Sequence, residues 1–297
     1  MSTQDRSQTT SDNLKGAVFM VAAMALFAVE DTLLKQVSTH LPVSEILMIF
    51  GAGGTVIFAL LTWQRGERIF NADLKHPAIL IRSLFEVLGR LFFTLSLALT
   101  ALSTTSAILQ ATPLLVAAAA AILFREKISA LRWALIALGF VGVLLVLRPG
   151  LDGFTPLSIL AVLGMIGFAG RDLATRAAPK GLSYAQLGVY GFAMLIVSGL
   201  IMLGWRGDMV VPTGYEALML TAAIVVGVAA YTALTFAMRT GEVSMVTPFR
   251  YSRLLFAMIL AALVFGERPD AMELWGGAVI VAAGLALMLT GRERKPA

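Results

Sequence analysis

The chain has 297 residues, 58% of them hydrophobic and only 14% charged, with a mean hydropathy of +0.85. A soluble domain of this length carries about 25% charged residues, so most of this surface must face lipid and no large soluble domain fits between the apolar runs. The net charge of +5 lies in short loops, a pattern of membrane orientation rather than of a nucleic-acid patch, and the absence of cysteine excludes disulfides, thiolate metal sites and cysteine nucleophiles.

Residues 1–14 are polar and read as a short cytoplasmic tail. Ten apolar segments follow, each near the ~20 residues that cross hydrocarbon as a helix. They run over 15–37, 44–63, 78–100, 103–124, 130–148, 156–176, 183–203, 213–238, 242–265 and 271–290. Ala23-Met24-Ala25 has the form of a signal-peptidase site, but the apolar run continues to Val37 and carries Glu30 and Asp31, so it reads as a permanent helix. Prolines fall at or beside most proposed ends; Pro113 and Pro248 alone lie inside helices, the first expected to bend helix 4.

Charges inside bilayer helices cost at least ~2.5 kcal/mol each on insertion scales, so each needs a partner or a purpose. Helix 1 carries Glu30, Asp31 and Lys35, with Asp31 and Lys35 spaced i,i+4 for mutual neutralisation. Helix 3 presents Arg82, Glu86 and Arg90 on one stripe; Arg82 reads as an interfacial anchor, whereas Arg90 lies too deep to reach the interface. Glu86 either neutralises Arg90 or exchanges protons beside it, and Glu30 is the alternative proton-coupling group. Helix 4 adds Gln110 and Thr112, and helix 6 adds Arg171, Asp172 and Arg176, with Asp172 and Arg176 again i,i+4. Tyr231 lies in helix 8, and Arg250, Tyr251 and Arg253 enter with helix 9. Glu30 and Arg171, near opposite mouths, are candidate gates together with Asp31 and Asp172. Arg90, Arg250 and Arg253 exceed Glu86 and Glu30 by one charge, which fits a carboxylate-bearing ligand as well as it fits internal scaffolding.

Orientation follows from the 23 basic residues. Three lie in loops of one side (Arg148, Arg206, Arg268), four within helices (Lys35, Arg90, Arg250, Arg253), and the other sixteen on the opposite side, which places both termini in the cytoplasm. The chain also matches itself at an offset of 141 residues. Phe27-Ala28-x-x-Asp31 returns as Phe168-Ala169-x-x-Asp172, Thr94 as Thr235, and Phe124-x-Glu126 as Phe265-x-Glu267. Gln110 and Tyr251 are mates at this offset, as are Arg90 and Tyr231, and with Thr112, Arg250 and Arg253 they are expected to line one substrate cavity. An odd number of helices per copy makes the second copy inverted, a construction of secondary carriers with a site near the midplane between halves. The glycine runs, Gly164-x-x-Gly167-x-x-Gly170 among them, allow helices to approach closely.

The run Pro113…Phe124-Arg125-Glu126…Trp133…Gly139-x-x-Gly142, with its second copy around Thr247-Pro248-Phe249-Arg250 and Phe265-Gly266-Glu267-Arg268-Pro269, resembles the EamA-type repeat of the drug/metabolite transporter superfamily. The resemblance spans about residues 15–290. It implies an all-α membrane protein of ten transmembrane helices in two inverted five-helix repeats, 15–148 and 156–290, with tails at 1–14 and 291–297. It further implies a bacterial inner-membrane exporter of an amino acid or other small metabolite, or an importer of a vitamin or nucleoside-like metabolite of the riboflavin or S-adenosylmethionine type; the arginine excess narrows the expected substrate to a carboxylate-bearing compound. Expected partners are the bilayer, a small-molecule substrate and a proton as candidate coupling ion, with no nucleic acid, no cofactor and no metal. The protein is expected to be a monomer or weak dimer. An intramembrane enzyme is disfavoured, because the only histidines, His40 and His76, lie in loops, and no G-x-x-x-x-G-K-[ST] phosphate loop is present.

Overall fold

The computed structural model describes residues 3–70, 72–99, 108–147, 156–206, 209–265 and 270–290, and the regular elements among them are all helical. The main helices are α1 (Thr3–Val37), α2 (Val43–Gln64), α3 (Pro77–Leu99), α4 (Thr112–Leu123), α5 (Ala130–Leu147), α6 (Ile159–Ala177), α7 (Tyr184–Arg206), α8 (Gly214–Arg239), α9 (Ser252–Phe265) and α10 (Ala271–Thr290). Seven segments among the described residues are long and apolar enough to cross a bilayer. α3 has the length but carries Arg82, Glu86 and Arg90 within it. α4 and most of α10 are shorter apolar helices, and the expected start of helix 4 at 103–107 lies outside the described residues.

Three local expectations are corrected. α1 begins at Thr3, so the segment read as a tail extends the first helix; no proline or glycine interrupts the chain before Gly16. The expected ninth helix forms as one span, Val243–Val264, but it is not α-helical throughout. A single turn, Val243–Val246, passes into a 3₁₀ segment, Thr247–Tyr251, before α9 begins. Pro248 sits in the first turn of that segment, where its missing N–H costs no helix bond. Pro113 likewise opens α4 rather than bending it, after a turn at Gln110 and Ala111. Gln110 in the turn and Tyr251 in the 3₁₀ segment are separated by the 141-residue offset.

Packing follows the 141-residue offset. α1 packs along α8 and α3 along α6; exchanging α1–α5 with α6–α10 turns one contact into the other. α2 with α7 and α5 with α10 are pairs of mates, and the lesser contacts α1·α9 and α4·α6 also exchange. Small residues set the closest approaches. A Cβ on Gly167 would lie 2.4 Å from the Cα of Gly89, so α3 and α6 cross backbone to backbone beside the charged stripe of α3. Gly142 and Gly276 do the same for α5 and α10. Toward the face that carries the N-terminus, Met20, Met24, Val116, Ala120, Leu173, Met238, Val243 and Val246 close into one apolar cluster.

Candidate functional site

Because α3 and α6 touch at glycines, the side chains one turn away on each helix are brought together. Glu86, 1% exposed, accepts a bond from Arg171 Nη1 at 3.2 Å and from the Tyr231 hydroxyl at 3.4 Å. Arg171 Nε donates to Asp172 Oδ1 at 3.0 Å, and the other oxygen of Asp172 pairs with Arg250. Helices α3, α6 and α8 and the 3₁₀ segment thus meet in one buried ion cluster. Arg82 joins it. Read as an interfacial anchor, it is instead 1% exposed, donating through Nε to Thr175 Oγ1 at 3.0 Å and through Nη2 to the Tyr231 hydroxyl. The physical reason is its place on the Glu86–Arg90 stripe: Arg82 and Glu86 both reach α6 and α8, and Arg90 faces Phe168 of α6.

A second layer lies further from the N-terminal face. Asp31 pairs with Arg253, whose Nε donates to Oδ2 at 2.9 Å. The pair is accessible, with Asp31 52% and Arg253 36% exposed at the side chain. Glu30, the neighbour of Asp31, is buried at 3%, and it alone of the four acids has no arginine within ion-pairing distance among the described residues. Its Oε2 has no hydrogen-bond partner and lies against Gly227 of α8. Arg90 and Arg253 are the cations whose charge acts on it. Arg90 links the layers, since both Glu30 and Glu86 lie within its field.

Two phenylalanines, mates at the 141-residue offset, contact the cations. The Phe168 ring lies near both Arg90 and Arg171, with guanidinium-to-centroid distances of 5.9 and 5.2 Å, and Phe27 sits 5.3 Å from Arg253. Sequence reasoning used both residues as markers of the repeat and missed this role, along with that of Thr175. The signal was present in Phe168, two residues before a glycine of the close-contact stripe and three before Arg171.

Other expected residues fall elsewhere. Tyr251 is 2% exposed in an apolar cluster with Val143 and Ile280, its ring against Gly139, and its hydroxyl unpartnered. Thr112 bonds back to the Leu109 carbonyl and Gln110 is half-buried in the turn; among the described residues no side-chain hydrogen bond joins either to the charges. Arg171 and Asp172, expected as a gate near one mouth, are core members of the ion cluster. An open groove lined by Leu255, Met258, Ile259, Leu263, Leu274 and Val281 carries none of these charges. No group of three His, Asp or Glu side chains suited to a metal occurs among the described residues.

A profile of the EamA-like transporter family matches the chain twice, over residues 14–148 and 156–290. The chain belongs to this family, and with it to the drug/metabolite transporter superfamily. It is 28% identical to the "Pseudopaline exporter CntI" of Pseudomonas aeruginosa over 94% of this chain and 98% of that protein. It is 26% identical to a riboflavin transporter of Vibrio cholerae over 95% of each chain. It is 22% identical to an S-adenosylmethionine uptake transporter of Rickettsia felis over 94% of each. A solved crystal structure superposes with a TM-score of 0.77 at 19% identity, covering 94% of this chain and 99% of that one, which establishes the shared fold. The EamA-family chain is thus a multi-pass membrane protein and a transporter of small metabolites, not an enzyme.

Proposed function

We propose that this transporter is a secondary carrier of a carboxylate-bearing metabolite, working by alternating access between two inverted five-helix halves in the bacterial inner membrane, with both termini cytoplasmic. The observation that carries this reading is the charge of the core. Arg82, Arg90, Arg171, Arg250 and Arg253 face Glu30, Asp31, Glu86 and Asp172, which leaves one positive charge in excess. Arg90 Nε and Arg250 Nε are buried without hydrogen-bond partners, and a carboxylate is the complement that such donors take.

The exchange of helix contacts under the 141-residue offset supports ten membrane helices in inverted halves. Asp31 lies six residues, ~9 Å, from the end of α1, yet it and Arg253 are accessible. An exposed ion pair at that depth requires water, which supports a vestibule open opposite the N-terminal face. The apolar cluster around Met24 and Met238 closes the other side. Glu30, the buried acid without a paired arginine, is the proton-exchanging group, whereas Glu86 is held by Arg171 and Tyr231. Export is the direction favoured by the pseudopaline exporter, and uptake is the alternative carried by the riboflavin and S-adenosylmethionine relatives.

The test is flux in proteoliposomes under an imposed pH gradient, with labelled amino acids, other carboxylates, riboflavin and S-adenosylmethionine. Gradient-driven flux of a carboxylate that becomes indifferent to the gradient in Glu30→Gln is expected. Flux confined to uncharged compounds would refute the arginine assignment.

A further inference from the structure

We propose that the loop bearing Glu126 is a latch that holds the N-terminal face closed and must release for the site to open to that side. The inference rests on the alternating-access reading above, and it starts from hydrogen bonds that the charged core does not use. Glu126, between α4 and α5, accepts the backbone N–H of Val243 through one oxygen at 2.9 Å and that of Ser244 through the other at 3.0 Å. Arg132 Nη1 donates to Glu242 at 2.8 Å, and Asn13 on α1 accepts from the Glu242 N–H at 2.7 Å. Residues 242–244 of the second family-matched segment are thereby gripped by three side chains from the first part of the chain.

Local geometry shows that the grip is built for this contact. Arg125 has φ of +54°, the only non-glycine positive φ among the described residues, and this sparsely populated backbone turns Glu126 across the gap. Gly241 has φ of +71°, and a Cβ there would stand 2.5 Å from Asn13 Oδ1, so only glycine lets the strand of chain dock this closely.

What the latch holds gives it meaning. Ser244 belongs to the single turn that runs into the 3₁₀ segment, and six residues on lies Arg250, paired with Asp172 in the ion cluster. A ligand that draws Arg250 from Asp172 therefore pulls on the piece that Glu126 restrains. Behind the latch, Val243 and Val246 seal against Met20, Met24, Val116 and Met238. The Glu242 side chain is 37% exposed, so water can take over its bonds as the latch parts.

The chain has no cysteine, so a single introduced thiol reports without background. Ser244→Cys is close to isosteric at a site that is 0% exposed, and Ala185→Cys offers an equally buried control in a separate cluster around Tyr190. Each is placed in the parent and in Glu126→Gln, reconstituted in nanodiscs, and its rate of maleimide labelling is measured. The latch predicts that Glu126→Gln, by removing the charge and one acceptor, raises labelling at position 244 by about tenfold or more and leaves position 185 unchanged. An unchanged rate at 244, or equal acceleration at both positions, overturns the proposal. If Glu126→Gln does not fold, Arg132→Gln carries the same test, with the same expected direction and the same refuting results. No substrate is used, so failure of the latch leaves the carrier reading standing, and absent flux leaves the labelling result valid.

Discussion

Removal of Arg171 should be the most damaging single change in the core. Its guanidinium, 9% exposed at the side chain, is the cation paired with Glu86 at 3.2 Å and one of two paired with Asp172. Arg171→Met keeps much of the volume but leaves Glu86 with only the Tyr231 hydroxyl at 3.4 Å. Breaking a buried pair from one side costs about 3–5 kcal/mol, because the remaining charge is left without compensation. At roughly 2 °C per kcal/mol for a chain of this size, the midpoint of unfolding should fall by roughly 6 °C or more. Thermal unfolding in detergent, followed by fluorescence of the four tryptophans, measures it. Adding Glu86→Gln should recover part of the loss, since the uncompensated acid is then gone, with a coupling of about 0.5–3 kcal/mol. A shift under ~2 °C for Arg171→Met, or strictly additive losses in the double variant, would refute the paired-core argument.

Asp31→Asn, at an accessible ion pair, should cost no more than about 1 kcal/mol while slowing flux, and a large loss of thermal stability would place Asp31 in the scaffold rather than in the vestibule. Gly167→Leu should force α3 from α6 and destabilise by at least the ~1–3 kcal/mol of ordinary overpacking; an unfolding midpoint equal to the parent's would contradict the backbone contact. Phe168→Leu removes the ring that contacts Arg90 and Arg171 and should cost about 1–2 kcal/mol, within the range of partly desolvated cation–π contacts, with no loss expected if the ring is only filler.

Much of this architecture is legible in the sequence because hydrophobicity and repetition are local signals. The apolar runs give the helices, and Phe27-Ala28-x-x-Asp31 against Phe168-Ala169-x-x-Asp172 gives the offset under which the helix contacts exchange. The charged residues Glu86, Asp172 and Arg250 stand out because a bilayer helix tolerates so few. Their partners do not stand out. Spacing along one helix offered Arg90 for Glu86, whereas the structure pairs Glu86 with Arg171 across helices, and Asp31 gains Arg253 in the same way. Such pairs depend on crossing geometry, set here by Gly89 and Gly167, which no i,i+4 rule contains. Tyr251 illustrates the same limit: the 3₁₀ segment turns its ring toward Gly139 and Val143, away from the arginine one residue earlier.

The central claim, that the buried arginines receive a substrate carboxylate, is tested most directly by Arg90→Ala. Counterflow of a transported carboxylate is compared between this variant and the parent in matched proteoliposomes, with folding of both verified by elution profile and unfolding midpoint. The account predicts loss of counterflow from a protein that inserts and folds normally, because Arg90 stands between Glu30 and Glu86 with a donor left unpartnered. Counterflow at the parent's rate from well-folded Arg90→Ala would contradict it.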